Sequence, residues 1–179
     1  MYTVRFLLGL LCIINAGGYR LPNGNLLDER TKIVAIARSQ LHVREVGGNN
    51  RGREVQKFLD HVGLPIGAKW CAAYISWVFD KAGYSQPRTG WSPNLFPLEK
   101  RTLKPKPADL IGIFYNSLGR IAHCGIIEAT KGDWIISIEG NTSISGSRDG
   151  NGVERKRRHR KTIAKFADWT ARKGVSDVP

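Results

Sequence analysis

The sequence predicts an α+β fold, with helices first and an antiparallel sheet after them. Three observations carry that expectation. Up to Gly83, apolar residues recur at helical spacing. From Leu110 onward, short isoleucine-rich runs are bounded by glycine or asparagine, as strands are. Between them, the stretch 84–107 carries Pro87, Pro93, Pro97, Pro105 and Pro107, which marks an irregular crossing rather than a helix or strand.

Taken in order, a short linker at 19–27 leads to a first helix over 28–42. Its apolar residues Ile33, Ile36, Ala37 and Leu41 keep the i, i+3, i+4, i+8 rhythm, and Asp28 is placed to cap its start. Gly47-Gly48-Asn49-Asn50 reads as a loop. A second helix follows from Arg53 to Val62, with Val55, Phe58, Leu59 and Val62 on one face and Gly63 and Pro65 ending it. The third begins at Trp70 or Cys71 and stops at Gly83, which suits a left-handed C-terminal cap. Strands are predicted at 110–115, 120–129, 134–139 and 153–158. Phe166 and Trp169 should tie the C-terminal stretch back onto the body, and the end from Lys173 should be loose.

A chain of 179 residues is long enough for one domain with a substantial core, here expected over about 28–169. Its 28 Lys and Arg against 15 Asp and Glu give a net charge of +13, which directs it toward polyanions. Residues 1–18 differ from the rest. Arg5 precedes an apolar run from Phe6 to Ile14, and Ala16-Gly17-Gly18 follow. That is the layout of a secretory signal cleaved near Gly18, and it predicts an exported mature chain of 19–179. A buried N-terminal helix is the alternative, but no polar face interrupts the run. Bulky Leu11 before Cys12 argues against lipid attachment. Export also weakens a nucleic-acid role, and no recognised binding motif surrounds the basic run 155–161. That run is either a solvated strand and turn or a contact for anionic wall polymer.

After cleavage two cysteines remain, Cys71 and Cys124. Cys124 lies inside an apolar strand and is expected buried, reduced and turned away from any site. Cys71 opens a helix, where peptide dipoles favour the thiolate. By strand alternation His123 shares a face with Ile121, Gly125 and Ile127, while Glu139 and Asn141, two residues apart, share another. Taken singly, each has an ordinary explanation: a core cysteine, a satisfied core histidine, a strand end running into a turn. Taken together, a cysteine on a helix, a histidine on a strand and Glu-x-Asn on the next strand form a candidate nucleophile, base and orienting set. His42, His61 and His159 stand in helical or basic settings without such company. No zinc-like Cys/His spacing or phosphate-loop pattern occurs.

The segments WCAAYISWVF, RIAHCGIIEA and IISIEGNTS resemble those of CHAP-domain cysteine amidohydrolases/peptidases, relatives of the NlpC/P60 peptidoglycan hydrolases. ARSQLHVREVGGNNRGREVQKFL and GSRDGNGVERKRR extend the likeness over about 30–165. The resemblance implies a papain-like α+β fold and hydrolysis of a wall amide or peptide bond. It assigns Cys71 as nucleophile, His123 as general base, and Glu139 and Asn141 as the groups that orient the histidine. Pro107-Ala108-Asp109 replaces the family's Pro-Gly-Asp, with Asp109 expected to be structural, and Cys124 stands where valine is usual. Some members bind calcium through an aspartate-rich loop. The loop 47–53 has Asn49 and Asn50 but no aspartate cluster, so no metal or other cofactor is expected. Trp70 and Trp91 are the candidates for substrate contact. Peptidoglycan is the expected partner, with basic surface toward anionic envelope polymer and a monomeric state. Non-catalytic wall binding and cysteine acyl transfer remain the alternatives, and the bond cut is open between amidase and endopeptidase.

Overall fold

The structure, a computed structural model, describes residues 26–143 and 150–170. The expected signal at 1–18, the linker up to Asn25 and the end from Lys173 lie outside the described residues. Three helices precede five strands: α1 (Leu26–Ser39), α2 (Arg53–His61), α3 (Cys71–Ala82), then β1 (Leu110–Tyr115), β2 (Arg120–Lys131), β3 (Trp134–Thr142), β4 (Gly152–His159) and β5 (Lys165–Ala167). The strands form one sheet in the order β4-β3-β2-β1-β5, each neighbouring pair antiparallel. The α+β expectation therefore holds. Among the described residues, no helix is long and apolar enough to cross a membrane.

The helices pack on one face of the sheet. Ile33, Phe58, Leu59, Tyr74, Ile75 and Val78 meet Cys124, Ile126 and Ile138 there. The opposite face buries Ile111, Ile127 and Ile135 under Ile163 and Phe166. β5 was not expected as a strand. It pairs with β1 through Leu110↔Ala167, Ile111↔Phe166 and Gly112↔Lys165, and the Trp169 indole donates to the Leu95 carbonyl at 3.0 Å. The C-terminal stretch is thus tied down by the two residues expected to do so.

Several boundaries moved, among them the end of α1, at Ser39 and not at residue 42. α1 starts at Leu26, so Asp28 lies within its first turn and not at the cap. β2 runs beyond its predicted end because it pairs with β3 out to Lys131↔Trp134, and β3 runs on to Thr142, which pairs with Gly152 of β4. α3 ends as expected: Gly83 adopts φ 102° and donates to the Asp80 carbonyl, and Tyr84 donates to that of Phe79. The proline-rich crossing is irregular, with short 3-10 turns at Ser92–Leu95 and Leu98–Lys100. Ser76 on α3 pins it, since its hydroxyl donates to the Thr89 carbonyl at 2.9 Å and accepts from the Thr89 N–H at 3.0 Å.

Candidate active site

Cys71 is the first residue of α3, and a bond from the Tyr74 N–H to the Trp70 carbonyl opens the helix around it. The backbone N–H of such a residue has no partner within its own helix. The Cys71 side chain is buried and free of any disulfide. It interacts with the side chains of Cys124, His123 and Ser92, and its Sγ lies 3.4 Å from Ser92 Oγ. A hydrogen bond from Cys124, together with His123 and Ser92, holds the Cys71 thiol well below its ordinary pKa despite burial. His123 shows the complementary shift. Burial alone would lower it, but Cys71 and Glu139 outweigh that and raise it to about 9. The two shifts describe one arrangement, a thiolate beside an imidazolium.

Glu139 is the carboxylate that meets the His123 ring. It is fully buried, and its Oε2 sits 2.8 Å from His123 Nε2, which leaves the other ring nitrogen for Cys71. Ser137 donates to Oε1 at 2.6 Å, and Arg158 donates from Nε and Nη2 at 2.6 Å each. Burial would raise the Glu139 pKa, yet Arg158 and His123 hold it at about 2. It is therefore a carboxylate at any working pH.

Asn141 was expected on the same face as Glu139 and is not. The β3–β4 register slips between Glu139 and Thr142, and Asn141 takes a left-handed φ of 54°. That bulge breaks the period-two alternation on which the expectation rested. Asn141 Nδ2 instead donates to Asn50 Oδ1 at 2.8 Å and to Glu45 Oε1 at 3.2 Å. Glu45 also accepts from the Trp70 indole and the Asn50 N–H, both at 2.8 Å. Asn141 thus clamps the end of β3 to the loop at 47–53 and to the start of α3, while still lining the cleft.

Two further expectations are corrected. Trp70 does not reach the cleft: it is 0 % exposed, stacked on Phe58 at 5.6 Å between ring centres. Cys124 does not turn away from the site. It faces the helix layer, where Cys71 itself sits, and donates to Ser92 Oγ at 3.8 Å. The β1–β2 register slips between His123 and Ile121, so Ala122 is an extra residue. That bulge re-aims β2 as it approaches α3. Burial raises the Cys124 thiol well above its ordinary pKa, and the neighbouring Cys71 raises it further, so it remains a thiol.

Cys71 and His123 open onto a cleft of about 480 Å³ whose walls include Trp91, Arg120, Asn141 and Lys156. Trp91 is 49 % exposed there. Sequence reading missed Ser92, Arg158 and the role of Cys124. Only Arg158 left a trace: on β4, Lys156 and Arg158 alternate with the more exposed Arg155 and Arg157, as two faces of a strand should. Among the described residues, no group of His, Cys, Asp and Glu is arranged to hold a metal ion.

No family model matches this chain, and no curated protein matches it. Among the solved structures that resemble it are two of Ly7917. The crystal structure of Ly7917 has a TM-score of 0.45 at 18% identity, covering 76% of this chain and 60% of that one. The crystal structure of Ly7917 with the hydrolyzing product of MDP has a TM-score of 0.43 at 17% identity, covering 76% and 61%. The chain thus spans less than two thirds of the length of the structures it resembles.

Proposed function

We propose that this protein is an exported cysteine hydrolase of bacterial peptidoglycan, of the CHAP or NlpC/P60 kind, cutting an amide or peptide bond of the wall. The observation that carries the reading is the buried Cys71–His123–Glu139 line, in which Glu139 bonds one ring nitrogen and Cys71 meets the same imidazole. A buried thiol with a depressed pKa, opening on a cleft beside an imidazolium, is the signature of a nucleophile. The polyanion preference of a +13 chain, the N-terminal signal layout and the family-like segments supply the wall as target.

In the mechanism, the Cys71 thiolate attacks the scissile carbonyl and forms a tetrahedral oxyanion. The Cys71 backbone N–H at the start of α3 donates to that oxyanion. His123, charged through Glu139, gives its proton to the departing amine, leaving a thioester on Cys71. The neutral imidazole then takes a proton from water, which attacks the thioester and frees the carboxylic product. Glu139 keeps its charge throughout, because Arg158 holds it ionised. The test is digestion of purified sacculi, with soluble products read by mass spectrometry. Wild type should release muropeptide fragments and folded Cys71→Ala none. Equal release by both, or none by wild type, would overturn the reading.

A further inference from the structure

We infer that the cleft selects a peptide bearing a free carboxylate next to the scissile bond, and that Arg120 on the Trp91 face is the residue that reads it. The inference rests on the hydrolase reading and names the substrate class of that same site. Among the described residues, the cleft wall carries Lys69, Arg120, Lys156 and Arg158, and no aspartate or glutamate. These cations differ in how they are engaged. Arg158 is bound by Glu139, and the Lys156 ammonium donates to the Ser143 carbonyl at 2.7 Å. Lys69 also has a partner. Arg120 has one side-chain hydrogen bond among the described residues, from Nη1 to the Ile121 carbonyl at 3.1 Å.

The Arg120 guanidinium lies over the Trp91 ring, 3.9 Å from its centre. Stacking covers the flat face of the guanidinium and leaves its edge, where the remaining N–H donors project. That fork matches the two oxygens of a carboxylate and gives nothing comparable to a neutral amide. The stack also limits the rotamers of a long side chain, so less freedom is lost when a ligand binds. Position sets the register. Arg120 pairs with Tyr115 and His123 with Ile113, so the bulge at Ala122 leaves them two ladder steps apart on one face, about 7 Å along the strand. A carboxylate on that fork belongs to the residue next to the carbonyl that Cys71 attacks. Lys156, on β4, adds positive potential while its ammonium stays bonded to the Ser143 carbonyl.

The experiment uses two synthetic stem peptides that differ only there, one with a free carboxylate and one with the carboxamide. kcat/KM is measured for wild type and Arg120→Gln. Wild type should prefer the carboxylate by about 10- to 100-fold, the range of charge-assisted hydrogen bonds. Arg120→Gln should bring the ratio close to one, chiefly by slowing the carboxylate peptide. Equal rates in wild type, or a preference that survives Arg120→Gln, would overturn the proposal. Calorimetry of both peptides with the full Cys71→Ala protein reads the same ratio as affinity. If wild type cuts neither peptide, the hydrolase reading fails, and the affinity ratio alone then upholds or overturns the carboxylate site.

Discussion

Replacing Glu139 with glutamine removes one charge and keeps the shape. The carboxylate accepts from His123, from Ser137 and twice from Arg158, and it is fully buried. The rise of His123 from 6.5 to about 9 corresponds to about 3 kcal/mol in favour of the imidazolium. Cys71 and Glu139 share that stabilisation. Assigning half to Glu139 gives roughly 1 to 2 kcal/mol, or about one unit of the His123 pKa. The proton on His123 is needed for leaving-group departure, so kcat/KM should fall above about pH 9 in wild type. In Glu139→Gln the high-pH limb should move down by about one pH unit, with kcat/KM lowered about five- to tenfold at pH 9 and little changed by protonation near neutrality. Stability changes as well. A carboxylate held at about 2 stabilises the fold above its ordinary 4.5, and that contribution is lost as pH falls toward 2. The variant lacks it and leaves Arg158 without its counter-ion, at a cost of about 3 kcal/mol. Kinetics are therefore taken at a temperature where circular dichroism shows the variant folded. A high-pH limb that stays near 9, with kcat/KM at pH 9 within about twofold of wild type, would refute the role given to Glu139.

Three other substitutions test separate parts of the structure. Cys124→Val and Ser92→Ala each remove a group that supports the Cys71 thiolate, so the low-pH limb of kcat/KM and of Cys71 alkylation should shift to higher pH; unchanged alkylation profiles in both would dismiss that support. Gly125→Ala puts a methyl 2.5 Å from Glu139 Cγ, against a side chain packed on all sides. Its strain should cost about 1–3 kcal/mol of stability in denaturant titration and at least tenfold in kcat/KM, while a silent variant would contradict the packing. Arg30→Ala removes the bridge from α1 to Asp109 and Asp168 and leaves Asp109 buried without its cation. The loss should be small below pH 6, where Asp109 is protonated in both proteins, and grow toward about 3 kcal/mol as pH rises above 6, because burial already raises that carboxyl to about 6 and loss of Arg30 raises it further. An equal loss on both sides of pH 6 would count against it.

What the sequence made legible was periodic. Helical spacing located α2 and α3, and Gly83 marked where α3 stops. Apolar runs located β1 to β4, and Cys71, His123 and Glu139 fall together as their order along the chain foretold. Periodicity also produced the errors. A bulge after Glu139 sends Asn141 to Asn50 and Glu45, and a bulge at Ala122 precedes the approach of Cys124 to Cys71. Bulges are set by pairing across strands, so strict alternation within one strand cannot reveal them. Ser92 and Arg158 were missed for a related reason. Each reaches the site from 19 or more residues away, through a crossing pinned by Ser76 and a strand paired two ladders over. Trp70 carried a large aromatic next to the nucleophile, which suggested substrate contact. The helix turns that side chain into the core instead, where its indole finds Glu45.

The central claim is that Cys71 carries out hydrolysis of a wall amide or peptide bond. The most direct measurement is a timed digest of one defined muropeptide, followed by mass spectrometry of both products and of the intact protein. The account predicts two fragments whose masses sum to the substrate plus one water. It also predicts a transient acyl adduct on Cys71, and neither fragments nor adduct with Cys71→Ala. Fragments formed equally by Cys71→Ala, or an intact muropeptide after prolonged incubation with wild type, would contradict it.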